Sequence, residues 1–204
     1  MSTTSQSLLA ELDSALVEAP APWRRVALRR IIDLFRSGAQ SYTGEQLELF
    51  DEVIGRLIKS ADRALLAEAS KSLATLETGP IKVLGTLARH SDLTVCGPIL
   101  EEAVALPDED LIAIADTSRL DPKLLTKIAN RPQLSEAITN ILIKRGTPAI
   151  QRKILDNLNA RVSEEGFARL VSAVNGDKTI AAAIAARQDL PAELRVWLDR
   201  VLSE

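Results

Sequence analysis

A repeat of 28 residues occupies the C-terminal half of the chain and limits its fold more than any other feature. Four dipeptides open successive copies at this spacing: Leu106-Pro107, Leu134-Ser135, Val162-Ser163 and Leu190-Pro191. Eight residues into each copy stands an aliphatic residue, and these are Ile114, Leu142, Leu170 and Leu198. A period of this size is typical of a solenoid of helix pairs, in which each copy buries its apolar face against its neighbours. The repeat therefore predicts an all-α chain arranged as a HEAT-like α-α superhelix.

Helical periodicity places a pair of helices in each copy and adds one pair before the first. The predicted pairs are 80–89 with 93–105, 107–117 with 121–130, 135–145 with 148–158, and 163–174 with 177–187. A last helix, 191–203, has no partner. It carries Leu194, Trp197 and Leu198 on one side and Arg195 with Asp199 on the other, as expected of a helix that caps an array.

Four more helices are predicted before the repeats. They begin with an apolar stripe from Leu8 to Val17, and continue from Pro22 to Gly38, from Thr43 onward, and from about Ala61 to Leu76. Thr43 and Gln46 have the spacing of a capping box. Because Thr78-Gly79-Pro80 breaks the helical pattern, we divide the chain into an N-terminal helical cap, 1–79, and a repeat array, 80–204. The first stripe can pack within its own chain or across a homodimer, and the sequence leaves both open.

Composition narrows the classes of function. The chain has 204 residues, is 46% apolar and carries a net charge of -3, and no region shows the basic excess typical of nucleic-acid binding. Its single cysteine, Cys96, has apolar neighbours and is predicted to be a buried small hydrophobe. The first residues lack the pattern of a signal peptide, and the longest apolar run, Ile180 to Ala186, is too short to span a membrane. We therefore expect a cytoplasmic protein with no membrane association.

Several stretches of the sequence resemble one bacterial family. These stretches are Asp33 to Ala39, Glu45 to Val53, Leu87 to Leu93 followed by Gly97 to Leu100, Ile128 to Ser135, and Ile184 to Pro191. Together, in this order, these stretches resemble the family named domain of unknown function 2336. The resemblance extends from about residue 25 to the end of the chain. The resemblance implies a bacterial protein, mainly of alphaproteobacteria, with a superhelical fold similar to HEAT repeats. It implies no catalytic residue that can be assigned to a position here.

The sequence predicts no catalytic, metal or cofactor site. A metal centre needs several nitrogen, sulfur or carboxylate ligands, and the chain has one histidine, His90, and one cysteine. Its nine glycines form no phosphate-binding motif. His90 stands three residues before Leu93, so we interpret it as a residue at a helix end; a partner contact and a catalytic role are the alternatives.

Five residues are candidates for contacts with a partner. Arg25 and Arg29 lie one turn apart in a predicted helix, and Trp23 precedes them. That basic face suits solvent exposure or pairing within the chain, with an acidic protein partner or nucleic acid as alternatives. His90, Arg131 and Arg187 each stand three residues before a leucine that opens a helix, and they form the other candidate group.

Three functions remain open at this point. A non-enzymatic scaffold or regulatory adaptor, which binds an unknown protein through a curved helical surface, fits the repeats best. A nucleic-acid-binding array is the alternative, and it requires the cations before each leucine to line one exposed face. An enzyme whose polar groups converge from distant helices is the third.

Overall fold

The computed structural model describes residues 20–117, 121–174 and 177–203. Within these ranges the chain forms twelve helices and no strand, which confirms the all-α class. The first five helices are α1 (Ala21–Gly38), α2 (Gly44–Lys59), α3 (Arg63–Ala74), α4 (Ile81–Ala88) and α5 (Leu93–Glu102). The other seven are α6 (Asp108–Ala115), α7 (Pro122–Ala129), α8 (Glu136–Arg145), α9 (Pro148–Asp156), α10 (Glu164–Ser172), α11 (Lys178–Ala185) and α12 (Ala192–Ser203). The stripe predicted from Leu8 to Val17 lies outside the described residues.

The chain divides into two compact units, Met1–Pro107 and Asp108–Glu204. The turn at Thr78-Gly79-Pro80 separates α3 from α4 and lies inside the first unit. The sequence-based division into an N-terminal helical cap, 1–79, and a repeat array, 80–204, stays a prediction.

In the first unit the helices contact one another in two rows. Helices α1, α3 and α5 form one row, and α2 and α4 form the other. Aliphatic side chains fill the space between the rows, with an aromatic cluster of Phe35, Tyr42 and Phe50 at one end. Cys96 on α5 is fully buried, as predicted, and burial raises the pKa of its thiol.

Polar side chains fix the starts of these helices. Thr43 and Gln46 form the predicted capping box at the start of α2. Helix α4 begins after Pro80, which has no side-chain cap of its own. Instead, the buried carboxylate of Asp51, on α2, accepts the backbone N–H groups of Lys82 and Val83 at 2.8 Å each. A side chain 31 residues away in the sequence therefore caps α4.

The second unit repeats the two-row arrangement. Helices α6, α8, α10 and α12 contact one another in sequence, and α7, α9 and α11 form the second row. The residues predicted to share a core position, namely Ile114, Leu142, Leu170 and Leu198, are all buried. The 28-residue pattern therefore marks equivalent positions in the core of this unit.

Hydrogen bonds in the second unit connect points about one period apart. The guanidinium of Arg145 donates to the carbonyl of Thr117, 28 residues away, at 3.0 Å. The backbone N–H of Arg161 donates to the carbonyl of Leu134 at 2.9 Å, beside an isolated bridge that joins the start and the end of one copy. Each copy is thus joined to the next by polar contacts as well as by apolar ones.

The last helix differs in detail from its sequence-based description. Leu198 is fully buried, but Trp197, predicted on the same side, is about half exposed. Arg195, predicted on the solvent side, donates to the carbonyls of Ala185 and Arg187 at 2.9 Å each. The physical reason is that α11 ends at these carbonyls, which need donors, and a long cationic side chain supplies them.

Candidate interaction surface

Two of the five predicted contact residues, Arg25 and Arg29, form ion pairs within the first unit. Arg25 donates to Asp62 at 2.5 Å, and Arg29 makes a two-pronged contact with Glu68, with both bonds at 2.6 Å. The hydrogen bond to Arg29 lowers the pKa of Glu68, and the same bond raises the pKa of Arg29. This face of α1 is therefore neutralised by α3, in agreement with the interpretation that the arginines pair within the chain.

A different face of α1 is apolar and exposed. Trp23, Val26 and Leu34 keep 49%, 47% and 53% of their surface accessible. Trp23, Ala27 and Leu34 follow one another at spacings that place them on a single face of a helix. Since large apolar side chains exposed along one stripe mark binding surfaces, we call this stripe of Trp23, Val26, Ala27 and Leu34 the outer face of α1.

Two arginines accompany the outer face. Arg30 stands between Ala27 and Leu34 in the stripe and is exposed. Arg24 is half-buried at its edge, and its Nε atom is buried with no hydrogen-bond partner among the described residues. A buried donor without an acceptor is unfavourable. The outer face therefore combines apolar area with positive charge that the described part of the chain leaves unneutralised.

The sequence contains a signal for this surface, namely the apolar residues on a second face of α1. The predicted helix from Pro22 to Gly38 has more apolar residues than one buried face accommodates, since Leu28, Ile32 and Phe35 alone line the core. A helix that is apolar on two faces must bury the second face against something else. Counting apolar residues by face would have identified the outer face.

His90 lies at the end of α4 and is half-buried. Its Nδ1 atom accepts the backbone N–H of Asp92 at 3.0 Å. Asp92, the N-cap of α5, in turn accepts the N–H and hydroxyl of Thr94 in the first turn of that helix, and it pairs with Arg63 at 3.0 Å. These contacts, chiefly those from Thr94, lower the pKa of Asp92. The structure thus gives His90 a place in the turn between two helices, as interpreted from its position.

Arg131 and Arg187 are buried in the second unit, with 8% and 3% of their surface accessible. Arg187 donates to the carbonyls of Asn157 and Ala160, at 2.7 and 2.6 Å, and to both carboxylate oxygens of Asp189. The side chain of Asn157 donates to the carbonyl of Arg131 at 2.9 Å. The structure therefore connects Arg131 and Arg187 through Asn157, across three successive copies.

Burial affects the pKa of Arg131 and the access of a partner to both arginines. Desolvation lowers the pKa of Arg131, against the attraction of Asp108. The hydrogen bond to Arg187 lowers the pKa of Asp189. Because both side chains are buried, Arg131 and Arg187 do not form the exposed cationic row that nucleic-acid binding requires. A partner contact at either residue stays a prediction.

Two open grooves lie along the described helices. One, of about 480 Å³, is lined by residues of α8 and α10 that include Lys144, Glu165 and Arg169. The other, of about 390 Å³, lies between α2 and α4 and includes Asp51 and Lys82. Glu165 pairs with Arg169 at 2.8 Å, and Asp51 caps α4. In each groove, one carboxylate is thus already engaged by neighbouring groups.

The described residues contain neither a cluster of metal ligands nor a helix suited to a membrane. Among residues 20–117, 121–174 and 177–203, no group of three or more His, Cys, Asp or Glu side chains could hold a metal ion. Nor, in those same ranges, does any helix have the length and apolar character needed to cross a membrane.

Together, the two rows of helices in each unit and the 28-residue core positions define an all-helical protein with a repeating two-helix element. The chain belongs to the family described as uncharacterised protein conserved in bacteria (DUF2336), whose model matches residues 95–204. The predicted family is thus confirmed, although the match is shorter than the extent expected from the resemblance. It covers most of α5 and all the later helices, α6 to α12, and α1 with its outer face lies before it. No curated protein and no solved structure matches the chain.

Proposed function

We propose that this chain is a non-enzymatic protein-interaction module, a bacterial scaffold or adaptor, which binds a partner protein through the outer face of α1. The observation that carries this proposal is the exposure of Trp23, Val26 and Leu34 along one side of a helix whose other sides are buried or ion-paired. Tryptophan and arginine contribute more binding energy at protein interfaces than most residues do. The outer face presents both.

The chemistry of the outer face favours an amphipathic helix with acidic residues as its partner. An apolar stripe along a helix is complementary to a second apolar stripe at the same spacing. Arg30 within the stripe and Arg24 at its edge would attract carboxylates, which would also satisfy the buried Nε atom of Arg24. Such a partner would bury the exposed apolar area and neutralise the charge together.

Two observations support a non-enzymatic role. The thiol of Cys96 is buried and its pKa is raised, which disfavours the thiolate that a nucleophile needs. The imidazole of His90 accepts a backbone hydrogen bond in a turn. The residues best suited to covalent or acid–base chemistry are therefore engaged in structural contacts. The proposal places the module in the bacterial cytoplasm.

A capture experiment with matched variants tests the proposal. Tagged full-length protein, a Leu34→Glu variant and a Leu158→Glu control are incubated with lysate of the source bacterium, with nuclease added to half of each sample. Leu158 is well exposed in the second unit, so its substitution adds the same charge outside the outer face. Circular dichroism checks that both variants retain their helix content.

We expect the wild type and the Leu158→Glu control to retain one defined protein despite nuclease, and Leu34→Glu to lose it. Equal retention by all three proteins would overturn the assignment of the surface. Retention that disappears with nuclease would replace the proposal by the nucleic-acid alternative.

A further inference from the structure

We propose that the second unit carries a separate binding surface, which takes an extended peptide with an acidic residue on either side of an apolar stretch. This second surface is independent of the proposed function, which concerns the outer face of α1 in the first unit. It crosses three neighbouring helices, α8, α10 and α12. We call it the repeat face, and its residues are Lys144, Ala168, Ser172, Val196, Trp197 and Arg200.

The repeat puts these residues on one side of the unit. The starts of α8, α10 and α12 follow one another at intervals of one period, so the helices keep the same register. Residues one period apart therefore occupy equivalent positions on neighbouring helices of the row. Lys144, Ser172 and Arg200 share one position, and Ala168 shares another with Val196. The repeat face is thus one side of three helices in a row.

The repeat face combines exposed apolar area with a groove. On α12, Val196 and Trp197 keep 58% and 45% of their surface accessible. One period earlier, Ala168 and Arg169 line the groove of about 480 Å³ between α8 and α10. That volume lies within the range of about 300–1,000 Å³ that is typical of ligand sites. A ligand that enters the groove can therefore also contact the indole of Trp197, which would anchor it.

Two cations at the ends of the repeat face lack a counter-charge among the described residues. Lys144 on α8 and Arg200 on α12 are exposed, and neither forms an ion pair within that part of the chain. Arg169, on the helix between them, is neutralised by Glu165. Packed helix axes lie about 8–10 Å apart, so equivalent residues two helices apart are separated by about 16–20 Å. Charge complementarity therefore favours a ligand with two carboxylates at that separation.

An extended peptide provides this separation within a few residues. A strand advances about 3.3 Å per residue, so acidic residues about six positions apart span about 20 Å. Alternate side chains of a strand point to one face, which places the intervening second and fourth side chains on the same side as both carboxylates. Aliphatic side chains there would lie over the groove and Trp197. The ligand is thus a segment with an acidic, two apolar and an acidic residue at alternate positions.

Nucleic acid suits the repeat face less well. A single strand carries a phosphate at every nucleotide, and grooves that bind it are lined with cations along their length. Here Lys144 and Arg200 stand only at the two ends. Glu165 and Glu193 are exposed on the same side, about two helical turns from the position of Arg200. A peptide with two carboxylates needs no further cations, so the charges favour the peptide.

Binding of a synthetic peptide to the full chain tests the repeat face. In the labelled test peptide, glutamate, leucine, leucine and glutamate alternate with serine. The control peptide has lysine in place of glutamate. The charge-reversed variant carries Lys144→Glu and Arg200→Glu. Its matched control carries Lys153→Glu and Lys178→Glu, which are exposed positions on the other row of helices.

By fluorescence polarisation, we expect the wild type and the matched control to bind the glutamate peptide about tenfold more tightly than the lysine peptide, and the charge-reversed variant to lose this preference. A wild type that binds neither peptide, or both equally, would overturn the proposal. So would a preference that the charge-reversed variant retains. Tighter binding of a short labelled DNA strand than of the glutamate peptide would replace the peptide site by a nucleic-acid site.

The two tryptophans report where the peptide binds. In a Trp23→Phe background, the glutamate peptide should shift the emission of Trp197 to shorter wavelength, because the indole loses contact with water. In a Trp197→Phe background, the emission of Trp23 should stay unchanged. A response of Trp23 alone would place the peptide on the outer face of α1 and overturn the repeat face as its site. A wild-type dimer that becomes monomeric in the charge-reversed variant would identify a second copy as the occupant, which would also overturn the proposal.

Discussion

Removing the guanidinium of Arg187 should destabilise the second unit far more than removing any exposed arginine. Arg187 is 3% exposed and donates to two backbone carbonyls, those of Asn157 and Ala160. A hydrogen bond from a charged donor contributes about 1.5–3 kcal/mol, and a carbonyl left without a donor is costly when buried. The pair with Asp189 adds at most about 1 kcal/mol, because that carboxylate is 45% exposed. Since water will reach part of the vacated space, we expect Arg187→Met to lower the free energy of unfolding by about 3 kcal/mol.

Methionine is the informative substitution because it keeps the apolar stem and removes only the donors. Arg187→Lys should lower the free energy of unfolding less than Arg187→Met, since an ammonium group can reach one of the two carbonyls. Arg169→Met is the matched control. Arg169 pairs with Glu165 one turn away on an exposed part of α10, and such pairs contribute about 0.3–0.5 kcal/mol.

Urea titration measures these differences. Trp197 lies in the same unit as Arg187, so its fluorescence in a Trp23→Phe background reports on that unit alone. With a slope of about 1–3 kcal/mol per molar urea, a loss of 3 kcal/mol moves the midpoint by about 1–3 M. If Arg187→Met and Arg169→Met shift the midpoint equally, the carbonyl bonds contribute nothing and our account of the repeat contacts is wrong.

Substitutions at five further positions test other contacts, by urea titration unless stated. Asp51→Ala should lower the free energy of unfolding by about 1–3 kcal/mol, because α4 loses its cap. Asp51→Asn should lower it less, since one acceptor oxygen remains. Ser70→Ala should leave stability unchanged or raise it by about 1 kcal/mol, because the buried hydroxyl has no partner among the described residues; a clear loss would contradict this. Gly166→Ala should destabilise the fold, since the new methyl would lie 2.9 Å from a side-chain oxygen of α8. Gly55→Ala, whose methyl would have its nearest contact at 3.7 Å, should instead raise the free energy of unfolding by up to about 1 kcal/mol through helix propensity. The neighbouring Arg187 holds the pKa of Asp189 below its usual value. This carboxylate therefore stabilises the fold above about pH 4, and its contribution is lost as the pH falls through the lower folded-state pKa. Asp189→Asn should flatten the loss of stability between about pH 5 and 2, which circular dichroism can follow.

The sequence was sufficient to predict the helices of the repeat region to within a few residues. Ile114, Leu142, Leu170 and Leu198 are buried because a strict period repeats one helical environment, and apolar periodicity reports that environment directly. The capping box at Thr43 was also predictable, since both partners lie within one turn.

Contacts between distant residues could not be predicted in the same way. Asp51 caps a helix that begins 30 residues later, and Arg187 donates to backbone carbonyls of an earlier copy. Neither contact leaves a local pattern, because the backbone N–H donors that Asp51 accepts and the carbonyl acceptors that Arg187 uses occur at almost every residue. Arg131 and Arg187 were predicted as candidates for partner contacts, and their burial in the structure could not be foreseen from the sequence.

The use of backbone carbonyls as acceptors has a consequence for how such a chain can change over evolutionary time. Arg145, Asn157 and Arg187 each donate to a main-chain oxygen of an earlier copy. A main-chain oxygen persists whatever side chain its residue carries, so mutation in the accepting copy leaves the bond available. After a copy is duplicated or deleted, the copies that become neighbours need only one retained donor to be joined. The array can therefore lengthen, shorten and diverge without paired substitutions.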